Sequence, residues 1–306
     1  MVIATGVLFA AAIPVEAQSP AFVTVHLDTS ALVEHPAGPF ALDFQLNGGS
    51  GEDDANNTVT LFAFAFGGGR SSTAAPVVVG GASGHLGSAV TISDRVFLNT
   101  LTQGFVAGSE LSFVLLRTAS VDPGGTPDQF SVAILDRTGA EVPTQSGSEA
   151  LIVLDLNSPN PAVQAFASDP TRTPRGGGRP ITMSTAQIDV ARAVAIDIKP
   201  GEGPNSINPT SSVNIPVAIL SSPDFDAPSR IEPTSLTFGR TGHEPSLLRP
   251  PKSEDVNGDG RLDLICHFDT QIAGFASGNT VGILKARNVD GDDVQGWDSI
   301  RIVPNR

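Results

Sequence analysis

The feature that most constrains the fold is an alternation of apolar and polar residues that runs through most of the chain after residue 20. The segment "FVTVHLD", residues 22–28, places both valines and the leucine on one face, and "FALDFQL", residues 40–46, repeats the pattern. Because successive side chains of a β-strand point to opposite faces, this alternation predicts strands with one buried face. In "TVTLFAFAF", residues 58–66, the same rule predicts that Phe62, Phe64 and Phe66 point inward and that their alanine neighbours point outward.

The strand-like segments fall into two groups, separated by "SDPTRTPRGGGRP" at residues 168–180. Glycine, proline and polar turn residues punctuate both groups, and no stretch keeps a helical period over three turns. The pattern predicts an all-β fold of two β-sandwich domains, jelly-roll or immunoglobulin-like, at residues 18–167 and 187–306. Residues 168–186 are predicted to be a Pro/Gly-rich linker.

The first 17 residues, "MVIATGVLFAAAIPVEA", form an apolar run that ends in small residues, as an export signal does. The run lacks the basic residues that usually open such a signal. Two interpretations stay open: a cleaved signal, or an apolar strand that completes the sheet of a neighbouring copy. Both place the protein outside the cell or at its surface. No later run is long enough to span a membrane.

The net charge and the single cysteine limit which partners and which covalent links we expect for this chain. The 306-residue chain has a net charge of −14, which repels nucleic acid and favours divalent cations. Its one cysteine, Cys266, cannot form an intramolecular disulfide and alternates with apolar neighbours, so we expect it to lie in the core.

The most distinctive motif is "EDVNGDGRLDLICHF", residues 254–268, in which acidic and amide side chains alternate before a glycine. Calcium takes six to eight oxygen ligands, and a tight loop supplies them from alternate side chains and a backbone carbonyl. Gly260 permits the sharp turn that such a loop needs. The predicted calcium ligands are Asp255, Asn257, Asp259, Arg261 (through its carbonyl) and Asp263. The alternatives are a plain polar hairpin turn or a catalytic acid cluster.

Three family resemblances bear on these segments. The loop resembles the short calcium loops between strands of integrin-type propeller repeats, which close at the ninth position, here Asp263. The stretch 194–303, which contains "VAIDIKPGEGPNSINPTSSVNIPVAIL" and "DGDDVQGWDSIRIV", resembles a β-rich module of secreted bacterial proteins. The segments "VTVHLDTSALVEHPAGPFALDFQLN" and "LTQGFVAGSELSFVLLRT" resemble the β-rich ectodomain of exported bacterial proteins with a C-terminal sorting tail (PEP-CTERM type). These resemblances imply an exported, modular protein and no defined activity.

The sequence contains no motif that predicts catalysis. The five histidines lack metal-ligand spacing, and nucleophile-elbow, zincin and phosphate-loop patterns are missing. We therefore expect a non-enzymatic, calcium-stabilised extracellular structural protein that assembles with copies of itself into fibres by strand exchange. The alternatives are a carbohydrate-binding or adhesin module, which would bind extracellular polysaccharide, and an accessory domain pair of an extracellular enzyme system. One tryptophan and no tyrosine offer few aromatic surfaces for sugar stacking.

Overall fold

A computed structural model describes residues 21–49, 56–118, 128–156 and 163–303. The predicted all-β fold is confirmed, since strands account for most of the ordered secondary structure. The apolar segment 1–17 lies outside the described residues.

The described residues of the N-terminal half form twelve strands. They are β1 Ala21–Asp28, β2 Phe40–Asn47, β3 Thr58–Ala65, β4 Arg70–Ser71, β5 Val77–Val79, β6 Gly81–Gly84, β7 Ala89–Ser93, β8 Leu98–Val106, β9 Glu110–Arg117, β10 Gln129–Leu135, β11 Ile152–Asp155 and β12 Val163–Ala165. A 3-10 helix, Ser30–Leu32, follows β1.

The described residues of the C-terminal half add ten strands and two short helical turns. The strands are β13 Gln187–Ala193, β14 Ile196–Ile198, β15 Ser206–Ile207, β16 Ile215–Ile219, β17 Thr237–Gly239, β18 Leu247–Glu254, β19 Asp263–Phe268, β20 Val281–Arg287, β21 Asp293–Ser299 and β22 Arg301–Ile302. The helical turns are α1, Ala227–Arg230, and a 3-10 helix, Pro233–Ser235.

Within the described ranges, the buried apolar side chains separate into two main cores. The first lies between a nine-stranded sheet, ordered β17-β20-β21-β13-β1-β9-β3-β7-β6, and a seven-stranded sheet, ordered β12-β11-β10-β2-β8-β4 with β5 also on β8. The second lies between the β17, β20 and β21 end of the nine-stranded sheet and a four-stranded sheet, β14-β16-β19-β18. We call these parts the N-terminal unit and the C-terminal unit.

The predicted alternation holds in β1 and β2, whose inward residues are almost fully buried. In β3 it holds only in part. Leu61 faces the N-terminal core and Phe62 faces the opposite side of the sheet, while Phe64 packs against the core again. The prediction for Phe62 was wrong because a β-bulge lies between Phe62 and Ala65, with Ala63 at a φ of 55°, and shifts the alternation by one residue.

The structure places the boundary between the units differently from the sequence prediction. Strand β13, which was assigned to the second domain, pairs antiparallel with β1 along six residues and parallel with β21 at Arg192 and Ala193. It therefore belongs to both units, and one sheet runs through the molecule. Two residues, Val194 and Ala195, separate β13 from β14.

The predicted linker, residues 168–186, packs onto the N-terminal unit. Ile181 and Met183 belong to the first core, each with 2% of its surface exposed. The Ser168 hydroxyl accepts a hydrogen bond from the Met183 amide, and the Asp136 carboxylate accepts one from the Gly176 amide. Buried side-chain acceptors thus satisfy amides of a segment that forms only an isolated bridge, Ser168 with Thr144, which composition alone does not reveal.

The nine-stranded sheet curls until the face opposite the two cores closes on itself. Phe62 on β3 and Trp297 on β21 are four strand positions apart, or about 19 Å in a flat sheet. Their ring centroids are nevertheless 5.1 Å apart. Phe22, Phe62, Val114 and Ile283 are buried there with Trp297 beside them, and we call this group the concave cluster. It joins the two units.

Candidate functional site

The acidic loop connects β18 to β19 as a hairpin whose last cross-strand pair is Glu254 with Asp263. Gly258 and Gly260 have φ values of 75° and 86°, which glycine adopts without the steric cost of a side chain. The motif therefore folds between strands, as the sequence predicts.

Asp255 organises the loop from its first position. One carboxylate oxygen, Oδ1, accepts hydrogen bonds from the amides of Gly258 and Asp259 at 2.8 and 3.2 Å, and Oδ2 accepts one from Gly260 at 2.9 Å. Three consecutive amides therefore converge on a single side chain. The loop wraps around this carboxylate.

The next two predicted ligands repeat this arrangement on a smaller scale and remain exposed. Asn257 Oδ1 accepts a hydrogen bond from the Asp259 amide at 3.0 Å, and Asp259 Oδ1 accepts one from the Arg261 amide at 2.8 Å. The guanidinium of Arg261 lies 3.6 Å from Asp259 Oδ2. It is the one cationic side chain within the 255–263 motif, against three carboxylates.

Asp263 differs from the other predicted ligands because its side chain is fully buried. Its oxygens accept hydrogen bonds from the amides of Ser221 at 2.8 Å and Val256 at 3.1 Å. Ser221 in turn donates its hydroxyl to the Leu262 carbonyl and accepts a hydrogen bond from the Ala227 amide. Asp263 therefore ties the loop to the segment between β16 and α1.

The donor chemistry fits calcium, whereas the side-chain arrangement is not a complete cage. Asp255, Asn257 and Asp259 present oxygens on one exposed loop, and oxygen donors are what calcium prefers. Across the described ranges, no three His, Cys, Asp or Glu side chains converge in a geometry that would hold a metal ion. The loop brings the first three predicted ligands together on its outer side and turns Asp263 inward.

A second polar site lies on the concave face, next to the concave cluster, and local sequence patterns did not reveal it. A groove of about 490 Å³ is lined by side chains from β1, β13, β17, β20 and β21. Lys285 is half-buried in it, and its Nζ lies 3.0 Å from His243 Nε2. Burial lowers the pKa of Lys285, and the carboxylates of Asp189 and Asp293 oppose that effect.

A second set of charged side chains lies beside the groove, on β1, β9 and β13, and shares Asp189 with it. His26 Nδ1 lies 2.8 Å from Glu110 Oε1, and its Nε2 lies 3.9 Å from Asp189 Oδ2. These residues are far apart in the chain and share no spacing rule. Only the order of strands in the nine-stranded sheet brings them together.

The buried cysteine matches the sequence prediction. Cys266 has no exposed surface, and burial raises the pKa of its thiol to about 12. It lies on β19 among the apolar side chains of the second core, which makes it a packing residue.

A further candidate surface is the exposed apolar edge at β5. Val77, Val78 and Val79 of β5 are 68%, 49% and 46% exposed, and the nearby Phe97 is 62% exposed. In the part of the chain that the structure describes, β5 pairs with β8 on one side and with no strand on the other.

The helices in the described ranges are short, and none of them has the length and apolar character needed to cross a membrane. Comparison of the chain with models of known protein families gives no match, and comparison with curated proteins gives none.

Proposed function

We propose that this chain is an exported, non-enzymatic extracellular structural protein that calcium stabilises and that joins copies of itself. The observation that carries the proposal is the loop at residues 255–263, where two carboxylates and one amide side chain lie on the outer side of a tight turn beside a single arginine, and a third carboxylate, Asp263, is buried at its end. Like charges this close repel each other unless a cation screens them. A calcium ion would relieve that repulsion.

In this proposal the residues of the loop have two roles. Asp255, Asn257 and Asp259 supply side-chain oxygens, and Arg261 supplies its carbonyl. Oδ2 of Asp255 accepts a single amide hydrogen bond and retains acceptor capacity for a cation, whereas Oδ1 already accepts two. Asp263 holds the loop against Ser221 and supplies the closing negative charge. Bound calcium would fix the β18–β19 hairpin.

The test is thermal unfolding with calcium and with a chelator. A ligand that binds the folded state alone stabilises it by about 2.7 kcal/mol at a hundredfold excess over Kd. We expect chelation to lower the melting temperature of the wild-type protein, and Asp259→Ala to remove this dependence. Asp169→Ala is the matched control, because Asp169 also accepts a local amide in an exposed turn but has no acidic neighbours on that turn. Equal melting temperatures of the wild-type protein with calcium and with chelator would refute calcium binding.

Self-assembly is proposed through the open edge of β5. Its valines are exposed on both faces of the strand, and an unpaired edge is a template for another strand. The proposed occupant is the apolar segment 1–17 of a second copy, which would add main-chain hydrogen bonds to β5 and cover Phe97. Such a head-to-tail contact propagates when it does not close into a ring.

Electron microscopy and light scattering of the exported protein test this contact. We expect filaments from the wild-type chain, and monomers when residues 2–15 are deleted and an ordinary export signal is supplied. Val78→Lys should also give monomers, because it places a charge on the acceptor edge. The control Val213→Lys changes an exposed valine between β15 and β16 and should leave filaments intact. Filaments that persist after the deletion, or a mature N-terminus at Gln18, would exclude the mechanism.

A further inference from the structure

The concave groove combines donors, acceptors and a buried amide in a way that the proposed structural function does not use. Lys285 and Gln295 are cross-strand neighbours on β20 and β21, so both side chains lie on the concave face. Asp189 of β13 and Asp293 of β21 stand on the same face. The groove thus alternates nitrogen donors with carboxylate acceptors.

Gln295 is the unusual member of this set. It lines the groove with 1% of its surface exposed, and within the described residues its Nε2 has no hydrogen-bond partner. A buried amide without a partner is destabilising, because it has lost its hydrogen bonds to water and has gained none in return. An acceptor oxygen that enters the groove would recover that cost.

Lys285 is also incompletely used. In the part of the chain described, its Nζ has one hydrogen-bond partner, His243, although an ammonium carries three donors. The contact with His243 positions the amine at the groove, and its remaining N–H groups can donate hydrogen bonds to a ligand.

The charge of the groove decides the ligand class. Arg287 is paired with Asp293 at 3.8 Å, and Lys285 shares the groove lining with two further carboxylates, Asp189 and Glu232. Anionic ligands are therefore repelled by carboxylates on both sides. A hydroxyl both donates and accepts, so a ligand with several hydroxyls matches the alternating donors and acceptors.

We infer that this groove binds a neutral saccharide, whose hydroxyls accept hydrogen bonds from Lys285 and Gln295 and donate to Asp189 and Asp293. The groove lies at the seam of the two units, because Asp189 comes from the shared strand β13 while Lys285 and Gln295 come from the C-terminal unit. Ligand binding and the joining of the units are therefore physically linked. The inference is independent of calcium and of filament formation.

Trp297 provides the readout. It is the only tryptophan of a chain without tyrosine, and it lies two residues after Gln295 on the same face of β21. We would titrate the full chain with cellobiose, xylobiose and chitobiose, and with digalacturonic acid as the anionic comparison. Concentrations up to about 10 mM cover a Kd near 1 mM. A saturable fluorescence change with at least one neutral disaccharide is the expected result.

Two variants locate the site. Lys285→Met and Asp189→Ala should each weaken binding by about tenfold or more, since a hydrogen bond to a charged group contributes about 1.5–3 kcal/mol. Asp189 is exposed, so its variant is expected to keep the fold even if Lys285→Met does not. Lys252→Met changes an exposed lysine on β18 and should bind as the wild type does. The inference is overturned if no neutral disaccharide gives a saturable change, if digalacturonic acid alone binds, or if Asp189→Ala leaves binding unchanged.

Discussion

The contact between Phe62 and Trp297 should contribute strongly to stability, because it closes the concave face. Phe62 is 1% exposed, and its ring lies 5.1 Å from that of Trp297 and 6.3 Å from that of Phe22. Truncating a buried phenylalanine to alanine costs about 3–5 kcal/mol, from lost burial and from the cavity that remains. We expect Phe62→Ala to lower the free energy of unfolding by this amount, although Phe62 faces away from both main cores.

A double-mutant cycle in urea, followed by circular dichroism, separates the ring contact from burial. Aromatic pairs contribute about 0.5–1.5 kcal/mol beyond their buried area, so Phe62→Ala and Trp297→Leu should be non-additive by that amount. The control cycle combines Phe62→Ala with Phe130→Leu, a buried residue of β10 in the opposite sheet, and should be additive.

Two outcomes would refute the reasoning. The first is a loss below about 1 kcal/mol for Phe62→Ala, which would mean that the concave face is open to solvent. The second is additivity between Phe62 and Trp297, which would mean that the two rings do not touch. Either result would also mean that the concave cluster does not help to join the two units.

Two further predictions concern titratable groups in the C-terminal unit. Burial raises the pKa of Cys266 to about 12, so iodoacetamide at about pH 8 should not label this thiol in the folded protein. In urea the same reagent should label it fully. Rapid labelling of the native state would contradict the placement of Cys266 in the second core. Burial, followed by the charges of Arg249 and Lys252, lowers the pKa of His267 from 6.5, so the unfolded chain binds this proton more tightly than the folded one. The free energy of unfolding should therefore fall as the pH drops below about 6.5, and urea titrations of His267→Gln should show a flatter slope between about pH 7.5 and pH 5. An equal slope in wild type and variant would exclude His267 as the cause.

The sequence predicted those parts of the fold that depend on local alternation. In β1 and β2 each inward residue meets the core, since a regular strand preserves its period of two. Phe62 escaped prediction because the bulge at Ala63 is one residue of backbone geometry, and alanine carries no signal for a positive φ. The packing of the region from Ser168 to Met183 was not predicted, because its polar side chains satisfy backbone groups within the fold. From sequence alone, such a compact segment has the same polar composition as a linker.

The candidate sites also divide into features that a local motif predicts and features that depend on distant residues. The positions of Asp255, Asn257 and Asp259 follow from a local motif, and the structure places them on one hairpin loop. The inward turn of Asp263 depends on Ser221, which is distant in the chain. The concave groove depends entirely on strand order, so no reading of neighbouring residues predicts it.

The shared strand β13 also has a mechanical consequence. Flexibly tethered domains rotate independently, and a row of them bends like beads on a string. Here the orientation of one unit relative to the other is fixed by the hydrogen bonds of β13 to β1 and by the amide of Val194, which donates to the Gln295 carbonyl at 2.9 Å. Copies joined end to end would each contribute the same rotation, so that the angle accumulates along the row. Such a polymer would owe part of its helical pitch and of its resistance to bending to this fixed angle within each subunit.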